Sequence, residues 1–307
     1  MGSYPSKKGR KENIMASARE IQSRMQSIKD TMKITSAMYM ISSSKMQKAK
    51  KSLADTEPFF FAQQNAVARF MKSVPDTKSI FFGRAIPDDQ KKRGYLVITA
   101  DKGLAGAYNH NVLKLASEQL EKGGQNKLFV VGELGRQYFM KKDVNIDGEF
   151  SYTVQNPTLY RARHIGLKLI DEYVREELDE VYIIYTKMIN TFKMEADMFK
   201  LLPLQREEYT QKNLKGYSAE MTFHPSVESV LESLIPNVVC GFVYGALVES
   251  YASEHNSRMM AMQTATDSAK QMLHELEIEY NRVRQAAITE EITEVIAGAR
   301  AQKNKKK

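Results

Sequence analysis

The stretch that decides the fold starts at Asn256 and reads N-S-R-M-M-A-M-Q-T-A-T-D-S-A-K-Q-M-L-H-E-L-E-I-E-Y-N-R-V-R-Q-A-A-I-T-E-E-I-T-E-V-I-A-G-A-R-A, ending at Ala301. It holds no proline, and its single glycine, Gly298, comes near the end. His255, Met259, Met262, Thr266, Ala269, Leu273, Leu276, Tyr280 and Val283 follow one another at spacings of four and three. That is a 3.5-residue repeat, the period of a supercoiled helix seam. Beyond Val283 the apolar line moves over by one residue, to Ile288, Ile292, Val295 and Ala299. A stripe that changes phase predicts a helix that changes what it touches. At ~1.5 Å per residue, residues 237–302 make a rod on the order of 100 Å long.

Residues 17–57 carry a second long helical pattern, with Pro58 as its expected stop. Its seam is Ile21, Met25, Ile28, Met32, Thr35, Tyr39, Ser42, Met46, Ala49 and Leu53, again without a slip. Two heptad helices at opposite ends of one chain are expected to pair, antiparallel if the segment between them folds compactly. A second stripe, Ile34, Met38 and Ile41, lies beside the first seam. Spacing alone leaves two readings of it open, an outward face or a broad core face.

Between the helices the pattern alternates over residues 76–224. Strands are predicted at 95–100, 128–131, 181–185 and 195–202, with a short last one at 220–223. Helices are predicted at 109–120, 134–141 and 159–178, and residues 76–93 and 205–216 read as polar connections. The expected fold is therefore α/β. A long antiparallel coiled coil of the two terminal helices accompanies a central open, mostly parallel, Rossmann-like sheet domain.

Composition narrows the classes. Among 307 residues, 42% are apolar and 9% aromatic, with seventeen Met and no Trp, which favours helix packing over an all-β body. No run of about 18 apolar residues is seen, so no membrane span is expected. The single cysteine, Cys240, excludes a disulfide framework. The net charge of +8 comes from the tail (Lys7, Lys8, Arg10, Lys11), from Lys45, Lys48, Lys50 and Lys51, and from the C-terminal lysines. These lysines are not interleaved with aromatics and carry no recognised motif, so no nucleic-acid partner is expected; an acidic protein surface suits them better. Residues 1–16 read as a disordered basic tail or targeting remnant, and M-G-S-Y-P-S also fits a myristoylation pattern.

The middle of the chain offers little chemistry. Asp101-Lys102-Gly103-Leu104-Ala105-Gly106 follows the first strand and precedes a helix, where a phosphate can sit on a helix N-terminus. Its spacing does not match G-x-G-x-x-G, and glycines permitting a tight turn explain it more simply. His110, His164, His224, His255 and His274 are scattered, without an H-E-x-x-H or a cysteine partner, so no metal is expected. Ser42, Ser43 and Ser44 lie on a helix face and not on a nucleophile elbow. No cofactor and no catalytic residue are expected.

Several stretches, in order along the chain, carry a resemblance. Ile288 to Ala301 fits I-T-x-E-x-x-[DE]-x-x-x-G-A through Ile288, Thr289, Glu291, Glu294, Gly298 and Ala299. Asn281 to Ala286, Arg258 to Met262, Ile34 to Met38 and Ser44-Lys45-Met46 match as well. Asp101 to Gly106 resembles a D-R-G-L-C-G turn, with lysine for arginine and alanine for cysteine. Over residues 16–302 the chain resembles the γ subunit of F-type ATP synthases, the central rotor shaft. The resemblance implies a non-catalytic subunit whose terminal helices thread a hexamer of α and β subunits. It further implies small δ/ε-type stalk subunits and a membrane c-ring as partners, so that the chain is peripheral to the membrane. Expected contacts with the hexamer are Met38, Ile41, Lys45, Arg258, Arg284, Gln285, Ile288, Thr289, Glu291 and Ile292. Arg284 and Gln285 match the positions that meet a catch loop of β. The basic extension before Met15 points to the matrix side of a mitochondrial inner membrane, with the cytoplasmic side of a bacterial plasma membrane as the alternative. A coiled-coil scaffold bearing an α/β domain, and an α/β enzyme with helical dimerisation arms, are the competing readings.

Overall fold

The computed structural model describes residues 7–74, 77–206, 209, 222–224 and 226–305. Its elements in chain order are α1 (Lys7–Ser73), β1 (Lys92–Ile98), α2 (Tyr108–Glu121), β2 (Gln125–Val131), α3 (Glu133–Phe139), α4 (Leu159–Val174), β3 (Glu180–Met188), β4 (Met194–Leu202) and α5 (Val227–Lys305). They form two compact units. One comprises the residues up to Met40 with those from Ala261, and the other is Ile41–Met260.

In the first unit α1 and α5 run antiparallel. The hydroxyls of Thr35 and Thr266 meet at 2.7 Å. Farther along, Ile28 shares a shallow groove with Met272 and Leu276, and Met25 shares another with Tyr280. As one number falls the other rises. The expected seam is the covered face: Ile21, Thr35, Met262, Thr266, Ala269 and Leu273 are buried, and Met25, Ile28, Met32, Tyr39, Leu276, Tyr280 and Val283 are half-buried. A fully buried Leu or Met side chain contributes roughly 1.5–3 kcal/mol, so such a seam outweighs the few polar contacts along it. Past Val283 the seam keeps its phase through half-covered Ala287 and Glu290, while the apolar line Ile288, Ile292 and Val295 turns outward. The phase change thus marks a second face and not the end of the first.

The second unit is built on a sheet of order β2-β1-β3-β4. β1 is parallel to β2 and to β3, with Leu96 level with Phe129 and Ile183, and β4 returns antiparallel beside β3. Successive β1 side chains enter opposite cores, as a period of two requires. Leu96 and Ile98 join Phe129, Ile183, Leu169 and Val239, whereas Tyr95 and Val97 join Val112, Ala116, Phe139 and Ile184. A parallel sheet covered on both faces explains the nearly continuous apolar text of Y-L-V-I. Thr158 caps α4 by accepting from the amide of Arg161.

Four sequence expectations need correction. The first helix does not end at Glu57, because α1 passes through Pro58 to Ser73. A proline removes one backbone bond and bends a helix, but Val67, Ala68, Phe70 and Met71 beyond it are core residues, and their burial holds the extension. The last helix begins at Val227 and passes through Pro236 for the same reason, with Ile235, Val239, Val243 and Leu247 fully buried. An 18-residue window of α5 has the length and composition of a membrane span, contrary to the sequence reading, yet 56% of it is buried and core packing accounts for it. The basic tail is helical from Lys7 onward, and the myristoylation pattern lies outside the described residues. So does half of the predicted strand 220–223, whose described residues, Thr222 and Phe223, are not in a strand.

Candidate functional site

Most of the candidate contact residues lie on open helix faces. On α1, Ile41 is 56% exposed beside exposed Ile34 and Met40, while Met38 and Lys45 are half-buried. On α5, Arg284, Gln285, Thr289 and Glu291 are exposed. The apolar line among them is half open in the chain alone: Ile288 46%, Ile292 54%, Val295 67% and Ile296 50%. A helix of good helix-formers tolerates such a line, but water does not favour it, and a row of apolar residues this long marks an interaction face. The Thr289 and Thr293 hydroxyls donate back to the carbonyls of Gln285 and Thr289 at 2.9 and 2.7 Å. Their polarity is thereby consumed within the helix, and the face offers smooth, weakly directional contacts.

Arg258 is the exception and corrects the sequence reading. It is only 6% exposed and serves the interior of its own unit. Nη1 pairs with Glu254 Oε1 at 2.7 Å, and Nη2 donates to the carbonyls of Lys102 and Gly103, both at 3.1 Å. The turn after β1 is therefore held by a helix residue that lies 155 positions later in the chain. Leu104 sits at φ 62 and Gly106 at φ 56, both left-handed, the second at no steric cost. Asp101 accepts from the amide of Glu133 and from the Thr153 hydroxyl, which ties the same turn to α3. Next to it Gly132 has φ 94, and a Cβ there would lie 2.2 Å from the Thr99 carbonyl oxygen.

Electrostatically the cluster is tuned by burial. Burial raises the Glu254 carboxyl, against the pull of Arg258. Burial first, then the cations Arg258 and Lys45, push the His255 imidazole down to about 3, so it is neutral and its Nδ1 faces Arg258 Nη1 at 3.3 Å. At the far ends of the strands burial would raise Glu180, but hydrogen bonds from Lys200, Tyr182 and Lys91 prevail and hold it at about 2. Burial also pushes the Cys240 thiol up, away from reactivity. Among the described residues no three His, Cys, Asp or Glu side chains converge as metal ligands.

The sequence reading did not single out Ser250, Ser253, Glu254 or Asn256. A signal was present: polar residues three and four apart interrupt an otherwise apolar helix, and all four are buried.

Comparison with known proteins bears on what these faces serve. A family model described as ATP synthase matches residues 17–302. The ATP synthase gamma chain of Acetivibrio thermocellus is 42% identical over 295 residues, covering 94% of this chain and 100% of that one. This chain belongs to the ATP synthase γ-chain family. The γ chain of Ruminiclostridium cellulolyticum is 41% identical, covering 92% of this chain and 98% of the relative. Among solved structures, a chain of the Euglena gracilis mitochondrial ATP synthase, OSCP/F1/c-ring, superposes with a TM-score of 0.64 at 16% identity, covering 95% of this chain and 96% of that one. That likeness carries the γ-chain fold alone. The family resemblance read from the terminal helices is thus established, while the mitochondrial placement is not: the relatives above 40% identity are bacterial. A basic extension alone carried that expectation, and basic charge is not an address.

Proposed function

We propose that this chain is the central-stalk rotor subunit of an F-type ATP synthase, turning inside a hexamer of α and β subunits and making no bond-breaking contribution itself. The observation that carries this reading is the half-open apolar line Ile288, Ile292, Val295 and Ile296 on a helix whose opposite face is already paired. A shaft must resist bending, which two paired helices do better than one. It must also slide, and soft apolar side chains in a sleeve impose little angular preference. Polar groups on the same helix, Arg284 and Gln285, add contacts that hold only at certain angles, and Lys45 offers a cation to acidic loops of β. Exposed ion pairs of that kind are worth roughly 0–1 kcal/mol, weak enough to form and break in every turn. The α/β unit is the part that meets the small stalk subunits and the c-ring, with the complex at the cytoplasmic face of a bacterial plasma membrane.

Reconstitution tests this reading. Mixed with α and β subunits, the chain is expected to enter a hexameric complex as a single copy and to confer sustained ATP hydrolysis. The isolated chain is expected to hydrolyse none. Turnover by the pure chain, or failure to join the hexamer, contradicts the proposal.

A further inference from the structure

Between Glu249 and Arg258, α5 adds to the packing of Tyr251 and Ala252 a row of hydrogen bonds to the rim of the sheet. The amide of Met188 donates to Glu249 Oε1 at 3.1 Å, and that of Thr186 to Ser250 Oγ at 3.3 Å. Ser253 Oγ donates to the Thr186 carbonyl at 3.2 Å. Asn256 Nδ2 donates to the Thr191 carbonyl in the β3–β4 hairpin at 2.6 Å, and Arg258 holds the carbonyls of the turn after β1. Ser250, Ser253 and Asn256 are fully buried.

Such a seam is a poor way to gain stability. Buried polar groups are costly where any partner is missing, and Glu254 Oε2 and Asn256 Oδ1 are buried without one. Apolar residues of the same volume often stabilise as well or better; what polar contacts add is one defined geometry. Here the geometry concerns rotation about the helix axis. At about 100° per residue, Asn256 and Arg258 project about 200° apart, so they grip nearly opposite flanks of α5. One flank is held by the hairpin after β3 and the other by the turn after β1. A twist of α5 in either sense lengthens one set of bonds and tilts the other, and hydrogen bonds weaken steeply below about 120°.

We propose that Asn256 and Arg258 are the positioning residues of a torsional clamp that fixes the angle of α5, where it crosses the sheet, against the β3–β4 hairpin and the turn after β1. The clamp rests on the rotor reading for its purpose, since a drive entering at the sheet reaches the hexamer only if α5 does not slip against it. α5 is continuous from the clamp to Lys305. Ser250, Ser253 and Glu249 set the height of the helix along β3, and Asn256 and Arg258 set its angle.

Two readouts keep failure of the clamp apart from failure of the rotor reading. In a Cys240→Ala background, spin labels at Lys122→Cys and Met260→Cys report the spread of distances between α2 and α5 in the assembled complex. A bead on Lys122→Cys reports the angular width at each stop during ATP-driven rotation. Arg258→Lys keeps the charge and the reach to Glu254 but loses the fork on two carbonyls. Asn256→Leu with Arg258→Met keeps the volume and removes both grips. Both are expected to assemble at wild-type composition with hydrolysis retained, and to widen both distributions, the double variant more. Wild-type widths in a variant that assembles overturn the clamp. If the double variant does not assemble, Arg258→Lys alone decides. A wild-type bead that never rotates contradicts the rotor reading, and the spin-label widths still judge the clamp.

Discussion

Replacing Ile288, Ile292, Val295 and Ile296 together by glutamine separates a bearing face from a structural one. Glutamine is a good helix former, so the helix itself is little affected. The four side chains are 46%, 54%, 67% and 50% exposed, so each still has about half of its surface to bury. Full burial of such a residue contributes roughly 1.5–3 kcal/mol, which leaves about 1 kcal/mol apiece and about 4 kcal/mol for the face. The isolated chain should lose little, because surface substitutions usually change stability by less than about 0.5 kcal/mol each. Binding to a hexamer lacking this chain should weaken by about 10³-fold, since every 1.4 kcal/mol is about a factor of ten. Affinity measured by surface capture, with thermal unfolding of the free chain as control, reads both numbers. The reverse pattern is expected of Leu273→Ala, a seam residue only 9% exposed: unfolding shifts down and the bearing face is untouched. A quadruple variant that binds as tightly as the wild type refutes the reasoning, and one that unfolds early shows that the line was core.

Three further outcomes follow from single sites. Gly132→Ala forces a left-handed φ of 94 on a residue with a Cβ 2.2 Å from a backbone oxygen. It should cost at least about 3 kcal/mol in denaturant unfolding, and a wild-type midpoint would contradict the geometry. His255 is held neutral, near 3 against an ordinary 6.5, so its contribution is complete above 6.5 and is lost as pH falls toward 3. About 2 kcal/mol should be gone at pH 5, and melting curves of His255→Gln should show less of this acid loss; equal acid sensitivity would refute it. Thr35→Val leaves Thr266 without its cross-helix partner, while Thr35→Val with Thr266→Val removes both hydroxyls. A double-mutant cycle should give about 0.5–1.5 kcal/mol of coupling, and additive costs would mean the two hydroxyls do not interact.

The seam was legible because burial on a paired helix leaves a periodic trace: every seam position from Ile21 to Tyr39 and from Met262 to Val283 is covered. The parallel strands were legible because V-Y-I-I-Y and Y-L-V-I are apolar on both faces, which only a sheet covered on both sides accommodates. Local rules failed where tertiary packing outweighed them. Pro58 and Pro236 are helix breakers by propensity, and both are passed because the residues beyond them are core. Phe81 stacks on Tyr173 from a connection that looked merely polar. Arg258 looked like a surface cation because its partners, the carbonyls of Lys102 and Gly103, are backbone atoms far off in sequence and leave no mark on it. The apolar line from Ile288 reads in the sequence as a helix that changes what it touches, yet the seam beside it continues to Glu290, since one helix carries both faces.

The central claim is that angle and chemistry are coupled through this chain. The direct measurement is forced rotation of a magnetic bead fixed to the α/β unit at Lys122→Cys, in the reconstituted hexamer, with ATP followed by luminescence. The rotor account predicts net ATP formation when the bead is driven in one sense and net hydrolysis when it is driven in the other. Luminescence that is independent of the sense of rotation, in a complex that hydrolyses ATP normally, would contradict it.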